Sequence, residues 1–399
     1  MIEISIVDSE DGLKCLRDDW NRLLQQSSSD TIFLTWEWMV SWWGSYGTGR
    51  TLWILKVEMD NELIGLAPLY KQKFHWFGYL SYSGLYLIGD GSGDSDYLDL
   101  IAKVGTEEVV VRSLVEFLLK HQTQWDVFFL NETPSTSGNY RSLRRFFREA
   151  SCFWQEVEVP CTYVELPSDW EQYLRSLKPR MRTKIRSLTK RLEQDFTVQI
   201  DYCKRGDELQ AWLESLYKLH GERWQQNGQE GVFISSSKRQ FYQCISSLFL
   251  TQGWLRFYAL TVNGRYVAHQ FCFEYRNQLL LLQEGFAPQW ERYGVGNVLR
   301  AYVFRDCIER KITVYDFLGG VTDHKLSWGG TVKKSIRMAI GLPVIKNSIF
   351  FRLPKAIAVG KSTLKALLPE VVWDWVKSLG QAEAFRRVFF ICHLKSFLG

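Results

Sequence analysis

Apolar and polar positions divide the chain into short strands and helices, and the series runs twice. Leu52–Tyr70 reads as a strand, a two-residue turn at Asp60-Asn61 and a second strand. The same arrangement recurs over Leu255–Phe273, 203 residues further on, with Asn263-Gly264 at the turn. Upstream of each hairpin lies a Trp-rich stretch of helical spacing, Phe33–Tyr46 and Leu216–Trp224. Downstream, a helix leads into an apolar strand: Val109–Leu119 then Val127–Leu130, and Val298–Ile308 then Thr313–Leu318. Four matches in the same order predict two copies of one α/β unit.

Two further segments carry chemistry. After Pro179, a natural first-turn residue, Met181, Ile185, Leu188 and Leu192 recur at helical spacing. The interval Arg175 to Arg191 holds eight Lys/Arg and no acid, so this helix is amphipathic with a basic outer face. A solvated face is the plain reading; a docking surface for phosphate groups is the sharper one. In the second copy, a strand over Gln278–Gly285 precedes a turn with Gly294 and Gly296, and a helix follows from about Val298. Glycines that admit close backbone approach, followed by a helix N-terminus, make an anion site.

Composition narrows the class. The chain has 399 residues, 46% hydrophobic and 23% charged, which excludes a disordered or fibrous protein. Aromatic residues are abundant at 15%, suiting cores, pockets or membrane interfaces alike. The N-terminus lacks a basic region followed by an apolar stretch, and no apolar run approaches the ~18 residues of a spanning helix. Eight scattered cysteines without a C-x-x-C pair argue against a disulfide framework or a zinc site, so a reducing cytoplasm is expected. Net charge is +5, but residues 341–399 alone carry +6, leaving the body near neutral. That tail mixes basic residues with apolar clusters such as Ile349-Phe350-Phe351 and Val388-Phe389-Phe390-Ile391. It is expected either to pack on the body or to touch anionic lipid peripherally at the inner membrane. H-E-x-x-H, G-x-S-x-G and the P-loop pattern are all missing.

Pro288, Glu291, Gly294 and Gly296 fit P-x-x-[R/Q]-x-x-G-x-G/A, the pyrophosphate turn of GNAT acyltransferases, with Glu291 where Arg or Gln is usual. Over residues ~5 to ~340 the chain resembles the CelD/BcsL-like group with a "BioF-type" acetyltransferase domain, related to FemAB peptidyltransferases. The matching stretches include Phe33-Leu-Thr-Trp-Glu-Trp, Ser95-Asp-Tyr-Leu-Asp99, Leu219-His-Gly-Glu-Arg-Trp224, Phe241-Tyr242 and Asp316-Phe-Leu-Gly-Gly320 leading to Lys325 and Trp328. The resemblance implies an α/β (α+β) fold of tandem GNAT-like domains, each a twisted, mostly antiparallel sheet flanked by helices. The first spans 1–160 with a degenerate cofactor turn, the second 161–340, and a basic helical extension occupies 341–399. It also implies acyl transfer from acyl-CoA to an amine or hydroxyl, often in envelope or exopolysaccharide assembly. The expected acceptor is an amine, sugar- or lipid-linked, and no metal is expected.

Candidate residues follow. Gln283, Gly285, Gly294, Val295, Gly296 and Asn297 are expected to bind the acyl carrier. Glu284 and Asp316 lie near the carrier strand as proton acceptors, with a solvated edge carboxylate as the plainer reading of Glu284. His220 and Arg223, at i and i+3 on one helix, face either the acceptor or the packing around Trp224. Tyr242 and Trp328 join Arg223 and Trp224 as expected substrate contacts. Lys325, counted with Glu284, Asp316 and His220 as a catalytic candidate, draws its support from the resemblance to the FemAB-like proteins and suits a phosphate-bearing substrate. Asp323 and His324 beside it are a candidate proton relay. Two alternatives stay open: a FemAB-like transferase using aminoacyl-tRNA, and a catalytically degenerate scaffold in an envelope-biosynthesis complex.

Overall fold

The computed structural model describes residues 1–76, 80–226 and 228–352. Its first half runs β1 (Ile2–Val7), α1 (Glu10–Cys15), α2 (Arg17–Gln25), α3 (Trp36–Tyr46), β2 (Thr51–Leu52), β3 (Ile54–Met59), β4 (Glu62–Ala67), β5 (Leu69–Trp76) and β6 (Leu80–Leu87). β7 (Ile101–Ala102), α4 (Glu107–Lys120), β8 (Val127–Pro134), α5 (Gly138–Glu149) and β9 (Phe153–Glu165) complete it. The second half runs α6 (Trp170–Ser176), α7 (Pro179–Asp195), β10 (Val198–Tyr202), α8 (Leu209–Gln226), α9 (Ser236–Thr251), β11 (Leu255–Val262) and β12 (Arg265–Tyr275). β13 (Gln278–Phe286), α10 (Val295–Glu309), β14 (Val314–Gly319), α11 (Asp323–Ser327) and β15 (Thr331–Gly341) follow.

Both expected hairpins form, and for the expected reason. Asp60 and Asn61 sit at φ 50° and 66°, Asn263 and Gly264 at 49° and 76°, so both central residues of each turn are left-handed, as a twist-matched two-residue hairpin requires. The repeat reaches finer detail. The β3–β4 register shifts between Val57 and Glu58, and the β11–β12 register shifts at Leu260 and Thr261, the same positions 203 residues on. One helical match moves, however. Ile32–Leu34 forms a 3₁₀ turn and Thr35 caps α3; Val232–Ile234 and Ser235 do the same for α9. The counterpart of α3 is therefore α9, not the Leu216–Trp224 stretch, which belongs to α8. α3 and α9 pack together, Trp38 lying 5.0 Å from Phe241 and 5.8 Å from Phe273. The aromatic excess largely serves cores of this kind: Trp20, Trp38, Trp42, Trp125 and Trp328 are fully buried.

The strands form a four-stranded sheet, β1-β3-β4-β7, and a sheet of eleven, β10-β11-β12-β13-β14-β9-β15-β8-β6-β5-β2. Within the large sheet each half has one parallel pair, β6 with β8 and β13 with β14, joined through α4 and α10 respectively. The last strand of each half then crosses over. β9, which follows β8 and α5, pairs with β14; β15, which follows β14 and α11, pairs with β8. β9 and β15 pair with each other along eleven positions. The expected boundary at residue 160 thus falls inside β9, a strand both halves share.

The start of the expected tail packs on the body. Phe351 stacks on Phe153 with centroids 5.5 Å apart, and buried Asn347 donates to the Asp126 carbonyl at 2.7 Å. Residues 353–399, which hold most of the expected basic extension, lie outside the described residues. No helix among the described residues is long and apolar enough to cross a membrane.

Candidate active site

β13 and β14 stay paired only from Gln278–Leu280 against Val314–Asp316 and then part. Just beyond, the β12–β13 register shifts between Phe271 and Cys272, leaving Leu282 as a bulge. A bulged residue falls out of the ladder, so the Leu282 backbone groups are left unpaired with β12 beside the gap. The gap opens into a cleft of about 1180 Å³ that runs across both halves. The second half lines it with Leu281–Glu284, the Glu291–Asn297 turn, Arg300, and the β14 end through Lys325; the first half contributes Asp96 and Glu132.

At one end stands the N-terminus of α10. Gly294 caps it at φ 62°, without a side chain to bond the helix amides. The amides of Asn297 and Val298 turn back to the Gly294 carbonyl, while those of Val295 and Gly296 find no main-chain acceptor among the described residues. The Oδ1 of Asn297 is buried and unpartnered there as well. No acid occupies the first turn of α10, and Lys184 of α7 lines the same end with Arg292. Glu291 stands there too and opposes an anion. Gly294 cannot be replaced freely, because its φ of 62° strains any residue with a Cβ. Gly296 is different, since a Cβ there would meet Phe286 at an ordinary 3.4 Å.

The cleft floor is held by charge. Arg300, buried on α10, pairs with Glu284 and with the Nε2 of His324, and lies over the rings of Phe317 and Trp328 at 5.2 and 5.6 Å. Arg223 reaches Glu284 at 3.8 Å and covers Phe286 at 4.7 Å. Burial alone would raise the Glu284 pKa, but Arg300 and Arg223 outweigh it, so this carboxylate is held below its usual range. Burial and the Arg300 guanidinium push His324 down to about 4, leaving it neutral as an acceptor for Arg300. Lys325 donates to the carbonyls of Phe317, Gly319 and Gly320 at 3.0, 2.6 and 3.1 Å. It thereby clamps an irregular strand end in which Leu318 sits at φ 59°, a conformation costly for a non-glycine residue.

Several expected site residues sit elsewhere. Gly285 faces α8, where a Cβ would come within 2.9 Å of the His220 amide. His220 itself is buried beneath β13; its Nε2 accepts from Trp224 at 2.8 Å, and burial, then Arg223, lowers it to about 4. It belongs to the packing around Trp224, which is half-exposed. Tyr242 is fully buried against Asp94 at 3.2 Å, and Trp328 is buried under Phe304 and Arg300; neither lines the cleft. Asp316 is also buried behind the wall, taken up by Tyr97, the Leu318 amide and Lys333 at 3.1, 2.8 and 2.7 Å. Gln283, Glu284, Gly294, Val295, Gly296, Asn297, Arg223, His324 and Lys325 do meet in the cleft, whereas Asp323 does not line it. The sequence reading missed Arg300, which looks like an ordinary basic position on a helix. It marked the basic helix that carries Lys184 as a phosphate-docking face and included Asp96 in a matching stretch, but named neither as a site residue, because only the fold brings them to the cleft.

Residues 179–326 match the acetyltransferase (GNAT) domain family. No curated protein matches the sequence. Among solved structures, a crystal structure of FemX superposes with a TM-score of 0.60 at 11% identity, covering 84% of this chain and 96% of that one. A conserved Bacteroides thetaiotaomicron protein of unknown function gives 0.54 at 16% identity, covering 85% and 100%. The C-terminal domain of a putative lysylphosphatidylglycerol synthetase from Agrobacterium fabrum gives 0.50 at 8% identity, covering 87% and 96%. At these identities the likeness is one of fold.

Proposed function

Because residues 179–326 form a GNAT acetyltransferase domain of the CelD/BcsL-like group, which implies an acyl-CoA co-substrate, we propose that the cleft transfers an acyl group from acyl-CoA to an amine. The observation that carries the reading is the open N-terminus of α10 at one end of a cleft that begins where β13 and β14 part. The Val295 and Gly296 amides, the helix dipole, Lys184 and Arg292 would hold the pyrophosphate, with Asn297 as a polar contact. The Leu282 bulge would present backbone amide to the thioester carbonyl and stabilise charge developing on its oxygen. Arg300 would fix Glu284 and His324 as a rigid cleft floor, and Lys325 would hold the β14 turn in shape.

The acceptor enters, on this reading, from the side lined by the first half. An amino-sugar or lipid-linked amine of envelope or exopolysaccharide assembly is proposed on the resemblance to the CelD/BcsL-like group. Two GNAT-like units with exchanged last strands are proposed as the domain organisation. Calorimetric titration with acetyl-CoA and longer acyl-CoA esters tests the reading. Saturable heat with at least one is expected; none with any would overturn it and favour the aminoacyl-tRNA or scaffold alternatives.

A further inference from the structure

We propose that Asp96, carried into the cleft by the first half, is the catalytic residue that takes the proton of the attacking amine, an assignment that rests on the acyl-CoA reading above. Most carboxylates around the cleft are already committed to cations. Glu284 is held by Arg300 and Arg223, Glu132 by Arg337, Glu158 by Lys334, and Asp316, behind the wall, by Lys333. Glu291 is exposed beside the α10 N-terminus, at the end assigned to phosphate. Asp96 enters none of the ion pairs seen among the described residues. It is half-buried on the cleft wall against the end of β14, its Oδ1 so close that a Cβ on Gly319 would lie 3.3 Å away.

The groups around Asp96 come from four elements and from its own loop. Burial raises its pKa most, and the Glu132 carboxylate of β8 and the Asp316 carboxylate of β14 add to this. Lys325 of α11 and the Gly319 amide lower it, while the neutral Cys161 thiol of β9 and the Tyr97 hydroxyl lie nearby. The balance brings Asp96 up to about 7, where a carboxylate is ionised often enough to accept a proton yet basic enough to hold one. In the step itself the neutral amine nitrogen forms a bond to the thioester carbon. The carbon–sulfur bond breaks and its electron pair leaves on sulfur. One proton passes from nitrogen to Asp96 and from there, through solvent, to the departing thiolate, so the products are an amide and free CoA thiol.

The full chain is assayed by single-turnover thiol release from acetyl-CoA with glucosamine as the probe amine, beside calorimetric affinity for acetyl-CoA. In the wild type, release rises through a midpoint near 7. Asp96→Asn keeps the acetyl-CoA affinity within about twofold but lowers release by about a hundredfold or more, and the pH dependence that remains is that of the probe amine alone. A variant with the wild-type rate and profile overturns the assignment. Carboxyl-¹³C aspartate labelling gives a reading that needs no turnover: the resonance lost in Asp96→Asn should titrate near 7 in the wild type, and a midpoint below 5 overturns the proposal. Failure of the acyl-CoA reading shows separately, as absence of acetyl-CoA binding by the wild type.

Discussion

The helix that links the parallel strands of the first half, α4, occupies the place that α10 occupies in the second, and the two N-termini are built to opposite ends. α4 begins with Glu107 and Glu108, and Glu107 reaches back to the Gly105 amide at 2.8 Å. Its positive end is answered by the protein's own carboxylates. α10 begins on a left-handed glycine with no acid in its first turn, so its dipole and amides stay available. The gaps between the parallel strands differ in the same sense. Beside β6 and β8, Tyr86 stacks on Phe129 at 4.9 Å and on Tyr70 at 5.2 Å, whereas the gap between β13 and β14 is the cleft. The loop after β6 carries Gly89, Gly91 and Gly93, yet it is spent on fastening the halves together: Lys238 of α9 reaches Asp94 at 2.6 Å and the Ser92 carbonyl at 3.2 Å. On the proposed reading, one unit keeps the ligand end while its copy forms the wall that carries Asp96.

The largest effect is expected at that fastening. Lys238→Met leaves Asp94 buried without its cation and should cost about 3 kcal/mol in denaturant unfolding; a loss below about 1 kcal/mol would mean the loop is not a clamp. Gly296→Glu gives α10 the charge that α4 carries. Acetyl-CoA affinity should fall at least about a hundredfold, roughly 2.7 kcal/mol, with little change in melting temperature because the Cβ has room. Unchanged affinity would break the contrast between the two helices.

Arg300→Met tests the floor of the cleft and should cost about 1–2 kcal/mol near neutral pH. The Glu284 pKa is lowered in the folded state, so the pair stabilises fully above the unfolded value of 4.5 and loses this as pH falls through the folded value. The stability gap between wild type and variant should therefore shrink below about pH 4.5, and a gap constant down to pH 3 would contradict the pairing. Smallest of all, Glu107→Ala should change stability by no more than about 0.5–1 kcal/mol and leave acetyl-CoA binding untouched; a gain in binding stoichiometry would show that α4 is only masked.

Local physics made part of this legible in the sequence. Asp60-Asn61 and Asn263-Gly264 declare their turns because few residues tolerate two left-handed positions in a row. Gly294 and Gly296 marked the helix end for a related reason. What stayed hidden depends on contacts between distant segments. The crossing of β9 and β15 leaves no trace in either strand's own pattern. His220, Tyr242 and Trp328 have the residue types that line pockets and cores alike, and only burial separates the two. Glu284 looked like a base until Arg300, sixteen residues on, was seen to neutralise it.

Amide hydrogen exchange with and without acetyl-CoA addresses the contrast at residue resolution. Added acetyl-CoA should slow exchange at Val295–Val298 and Leu281–Gln283, and leave Glu107–Val110 at the start of α4 unchanged. Protection at α4 equal to that at α10, or protection confined to the first half, would contradict the assignment of the acyl-CoA end to α10.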